Sequence, residues 1–127
     1  MHHHSLAALA LLAAPAMAQE PTPRQDLAVL YAGVPDHPRT KVWLEFLGQH
    51  FKTAKAADLA AFEPALAEGF DVVIVDAPSP FTAGKGASGF QMPKVARIPA
   101  DFAKPMVLLG AAGGAVLNQH QRKLDWL

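Results

Sequence analysis

Residues 71–77 read DVVIVDA, four β-branched residues in a row, and Pro78 and Pro80 stop the run. A strand this apolar has no polar face to offer water, so its sheet must be covered on both sides. Residues 27–32 (LAVLYA), closed by Gly33 and Pro35, read the same way, and residues 105–109 (PMVLL) are a sibling. Between them lie segments with helical periodicity. Residues 40–51 (TKVWLEFLGQHF) space Val42, Trp43, Phe46 and Leu47 as a helix does, with Pro38 just ahead and Thr40 as the expected N-cap. Trp43, Phe46 and Leu47 are the expected core face of that helix. Residues 52–57 are a weakly patterned edge strand. Residues 59–68 predict a second helix through Leu59, Phe62 and Leu66, limited by Pro64 and ended by Gly69. Strand, helix, strand, helix, strand and strand is the alternation of an α/β fold with a doubly wound, mainly parallel sheet and helices on both faces.

Composition narrows what such a fold can do. The chain has 127 residues, 51% hydrophobic and 17% charged, which suits one domain and excludes disorder. Lys+Arg number 11 against 11 Asp+Glu, with no basic run, so phosphate-rich partners such as nucleic acid are not expected. The chain has no cysteine, which removes disulfides, thiolate metal sites and cysteine nucleophiles together.

Residues 5–18 (SLAALALLAAPAMA) end in Ala16-Met17-Ala18 and are followed by the polar, proline-broken QEPTP. This is a secretory signal pattern, too short for the roughly 20 apolar residues of a membrane span. It lacks Lys or Arg ahead of the apolar run, where only the α-amino group and His2, His3 and His4 stand. The expectation is cleavage after Ala18, a linker at 19–25 and a single domain over 26–127, periplasmic or secreted, with no stable membrane span left. Residues 78–104 form a long Pro- and Gly-rich connection with room for a small hairpin through 95–98. Residues 115–127 begin as a helix and stop on Trp126 and Leu127. That ending reads either as docking on the core or as a domain truncated at its C-terminus.

Several motifs carry candidate chemistry. Gly84, Gly86 and Gly89 match G-x-G-x-x-G, but prolines separate them from the preceding strand and Pro93 follows, so a loop and not a dinucleotide site is expected. Asp76 closes the DVVIVDA strand at the carboxyl edge, where open α/β sheets bind ligands. In this it resembles the acceptor aspartate of response-regulator receiver domains. Their acidic pair after the first strand is missing, since that position reads Tyr31-Ala32-Gly33. A structural aspartate holding the loop is the other reading. Asp36, His37 and Arg39, on the proline-stiffened loop 35–41, belong to the same edge and are candidates to orient an anionic or hydroxylated ligand. They read equally as a solvated loop before a helix. No metal-ligand spacing supports a site from Asp36, His37 and Asp76, and no motif asks for a cofactor.

Residues 110–114 (GAAGG) follow a strand and precede a helix. Gly110, Gly113 and Gly114 relieve a sharp turn, and Ala112 stands where a nucleophile elbow carries Ser or Cys. Here the chain resembles the class I glutamine amidotransferase-like superfamily, including the ThuA-like (trehalose-utilisation type) proteins. The resemblance implies a flavodoxin-like sheet and, because the elbow cysteine is absent, no amidotransferase reaction. What remains is an expected pocket for a small polar, sugar-like or anionic ligand, lined by Asp36, His37, Arg39, Asp76, Gly110, Ala112, Gly113 and Gly114. A turn serving helix packing alone is the competing reading, as is an envelope interaction module completed by a partner.

Overall fold

The computed structural model describes residues 23–78 and 92–122. In chain order they form β1 (Gln25–Gly33), α1 (Pro38–His50), β2 (Phe51–Asp58), β3 (Val72–Val75), β4 (Met106–Leu108) and α2 (Gly110–Gln119). All pairings are parallel, and the sheet order is β2-β1-β3-β4. This is a flavodoxin-like α/β fold.

The central strands β1 and β3 contribute alternate residues to two cores, as the pleat requires, whereas β4 covers one core and exposes Val107. On one face Val29 and Tyr31 of β1 and Ile74 of β3 pack with Leu47 of α1. On the other, Leu30, Ala32, Val73 and Val75 pack with Leu59, Phe62, Ile98, and Ala112 and Val116 of α2. Full burial of each large apolar side chain contributes about 1.5–3 kcal/mol, so the continuous runs in β1 and β3 are the thermodynamic centre of the molecule. The edge strand β2 exposes Lys52 and Lys55, which discourages pairing with other chains.

Several sequence expectations are corrected. The second helix is two short 3₁₀ turns, Leu59–Ala61 and Pro64–Ala67. Pro64 cannot donate into a helix begun at Leu59, so the chain restarts there, and Asp58 caps the first turn through Ala60 N–H at 2.9 Å. α1 starts at Pro38 and is capped by His37, not Thr40. Phe46 is 49% exposed and so stands outside the core that Leu47 enters. No strand forms over 95–98. That stretch is an extended strap held by Ala96 N–H to Leu59 O at 2.9 Å and by the Gln119 side chain. Gln119 accepts from Ile98 N–H and donates to Ala96 O, both at 3.1 Å. α2 begins within the glycines, five residues before the expected start at 115. Gln25 belongs to β1 and not to a linker. Residues 1–22, the glycine motif at 84–89, and Trp126 and Leu127 lie outside the described residues.

The strand order creates the place for a site. From β1 the chain passes through α1, on one face, to β2. From β2 it returns through the two 3₁₀ turns, on the other face, to β3. β1 and β3 are neighbours whose following segments diverge, and at such a switch point a crevice opens beyond the carboxyl ends.

Candidate functional site

At this edge β1 leads into α1 by a tight turn. His37 N–H donates to Val34 O, with Pro35 second in the turn and Asp36 third at φ 57°. Proline then a left-handed residue is the type II pattern, and Asp is among the few non-glycine residues that accept that backbone. Asp36 is therefore spent on the turn, with its side chain in solvent. His37 Nδ1 accepts from Arg39 N–H at 3.1 Å and supplies the helix cap. Thr40 is buried and donates its hydroxyl to Val34 O at 2.7 Å, tying the first turn of α1 back to the end of β1. Together these bonds fix the direction in which Arg39 leaves the helix.

Arg39 reaches the residue that closes β3. Asp76 N–H bonds to Ala32 O at 3.1 Å, extending the β1–β3 ladder by one residue, and the residue is 1% exposed. Its carboxylate accepts from Arg39 Nε at 2.6 Å and Tyr31 Oη at 2.7 Å on one oxygen, and from Arg39 Nη2 at 3.1 Å on the other. A buried ionised carboxylate is tolerated only with such charge-assisted partners. Tyr31 stacks on Trp43 of α1 at 5.8 Å between ring centroids, so the hydroxyl is aimed by packing. Burial pushes the Tyr31 phenol well above its ordinary 10, and its bond to Asp76 and the charge of Asp76 push the same way, with Arg39 opposing. The bond to Asp76 likewise raises Arg39, so the guanidinium stays charged at any working pH.

The arrangement defines what Asp76 can do. Hydrogen-bonded on both oxygens and paired with arginine, it holds the Arg39 guanidinium in place. The arginine side chain is 47% exposed against 2% for the aspartate, so the network presents a cation, not a carboxylate, at the surface of this edge.

On the other side of Asp76 the register Val75 to Leu108 places Leu109 beside it, and Leu109 N–H donates to Val75 O at 2.9 Å. Gly110 follows with φ +52°, a conformation that glycine adopts freely. The strained residue of the turn is thus Gly110, while Ala112, at the elbow position, is 1% exposed in the core beneath α2. A Cβ on Gly113 would stand 2.8 Å from the Leu108 backbone, so this glycine lets α2 approach β4. Ala112 and Gly113 accordingly serve packing, and no side chain caps α2.

The structure thus joins Arg39 to Asp76, sets Asp36 and His37 in the adjoining turn and Gly110 across the sheet edge, and keeps Ala112 and Gly113 in the interior. Tyr31 joins the network as a residue that no motif points to. Its signal was a phenol inside a run buried on both faces, because a buried tyrosine hydroxyl needs a partner. Among the described residues no group of three or more His, Asp or Glu side chains could hold a metal ion, and no helix is long and apolar enough to cross a membrane. Compared with known proteins, the chain matches no family model, no curated protein and no solved structure.

Proposed function

We propose that this protein binds a small polar molecule at the carboxyl edge of its sheet, in the crevice between the ends of β1 and β3, and carries out no amidotransferase chemistry. The observation that carries this reading is the half-exposed Arg39 held by a buried Asp76 at the switch point of the strand order. Binding sites in open α/β sheets form there, and a buried carboxylate devoted to orienting one surface arginine is hard to explain by stability alone. Asp36 and His37, in the turn before α1, and Gly110, at the end of β4, complete the neighbourhood. Kinship with the glutamine amidotransferase-like, ThuA-like group is part of the proposal, supported by the strand order and the glycine-rich strand-to-helix turn. So is export, supported by residues 5–18.

A screen of the full chain against sugars, sugar acids, nucleotides and amino acids by thermal shift tests the reading. A ligand at 100 times its dissociation constant stabilises by about 2.7 kcal/mol, readily seen as a higher Tm. Backbone amide shifts confined to 33–41, 76–78 and 109–111 are expected for that ligand. Absence of any stabilising compound, or shifts elsewhere, would remove the site.

One observation favours a second reading, an interaction module of the cell envelope. Val42 is 66% and Phe46 49% exposed on α1, and with Trp43 they line a shallow apolar cleft of about 250 Å³. Exposed apolar groups gathered in one place mark contact surfaces. Light scattering over a concentration series separates the readings, since a strict monomer leaves this face without its simplest partner, another copy.

A further inference from the structure

Resting on the carboxyl-edge reading, we propose that the ligand presents an oxyanion, a carboxylate or a phosphate, which Arg39 receives end-on. A guanidinium carries five N–H donors in one plane. Asp76 takes the Nε donor and one Nη2 donor, the side-on edge of the group. The end-on edge, formed by Nη1 and the second Nη2 hydrogen, has no partner among the described residues. Those two parallel N–H bonds are spaced to meet two oxygens of one carboxylate or phosphate. The side-on edge lies against a 2%-exposed aspartate and the side chain as a whole is 47% exposed, so the fork that remains is the part that can meet a ligand.

The chemistry of this edge selects the ligand group. The fork contains donors only. Both Asp76 oxygens already accept from Arg39 or Tyr31, and His37 Nδ1 accepts from Arg39 N–H. An anionic group made only of acceptor oxygens matches this donor fork in both charge and geometry, whereas a neutral sugar hydroxyl gains no charge assistance. Asp76 also holds the arginine in one geometry before the ligand arrives, so little freedom remains to be lost on binding. Asp36, in the turn before α1, and Lys41, in its first turns, are both exposed and carry opposite charges.

The test is an NMR titration of the full chain at constant ionic strength with inorganic phosphate, with acetate and succinate, and with a neutral sugar. The expected result is a saturable shift of the Arg39 Nε–Hε resonance and of the 36–41 amides with an oxyanion and none with the sugar. The phosphate and carboxylate arms tell which source is preferred. Arg39→Lys, which keeps the charge but not the fork, should weaken that binding by about tenfold or more. Anion shifts that stay linear and are equal in Arg39→Lys would overturn the inference, as general screening. Saturation by the sugar alone would overturn it too while leaving the edge as a ligand site. No saturable shift from any compound of the wider screen would sink both.

Discussion

Between β1 and α1 the chain turns through side-chain hydrogen bonds: His37 caps the helix, Thr40 ties it to Val34, and Arg39 reaches across to Asp76. Between β4 and α2 it turns through glycines, with no capping side chain and with Gly113 against the Leu108 backbone. Both turns lie at the carboxyl edge, one strand apart from β3 on either side. The difference separates a turn built to aim a charged group from one built to bring a helix close. A glycine-rich turn attracts attention in a sequence, yet here the polar turn holds the chemistry.

The glycine turn is most sensitive at Gly113. Gly113→Val forces a Cβ into the Leu108 backbone and should cost about 3 kcal/mol or more in urea unfolding, with no compensating loss of binding chemistry. A neutral effect would mean that α2 does not dock as described. Arg39→Ala should cost about 2 kcal/mol, because it strands a buried carboxylate; partial exposure of the arginine keeps the loss below that of a fully buried pair. Arg39→Ala in an Asp76→Asn background should cost markedly less, and equal costs in both backgrounds would deny the coupling. His37→Ala removes the α1 cap and should cost about 1 kcal/mol, whereas Leu109, at the same position before α2, has no cap hydrogen bond to lose.

The physical reasons for what could be read from sequence follow the same division. β1 and β3 were legible because continuously apolar stretches have one good environment, a strand covered on both faces; β4 formed where its apolar run predicted, but Val107 is exposed and only one of its faces is covered. Asp76, Arg39 and His37 were legible as edge residues because they directly follow such strands. The split of residues 59–68 was not, because alanine-rich periodicity resembles a helix until Pro64 interrupts the hydrogen bonding. Nor was the role of Tyr31, whose partner lies 45 residues away in sequence and meets it only through β1–β3 pairing. The Gln119 clamp on the 96–98 strap was hidden in the same way. Local pattern shows elements, and side-chain pairs made across the sheet depend on register.

The most direct measurement of the network is the alkaline titration of Tyr31, the single tyrosine of the chain, by absorbance near 295 nm. The folded state holds this phenol protonated above its ordinary 10, through burial and its bond to Asp76. The stabilisation it brings is therefore complete below pH 10 and is lost as pH rises through the higher folded value. No tyrosinate signal is expected at pH 10–11 in the folded protein; the signal should appear only together with unfolding, and unfolding should come at lower pH in Asp76→Ala. A reversible titration centred at 10 with the fold intact would contradict it, because Tyr31 would then be neither buried against Trp43 nor bonded to Asp76.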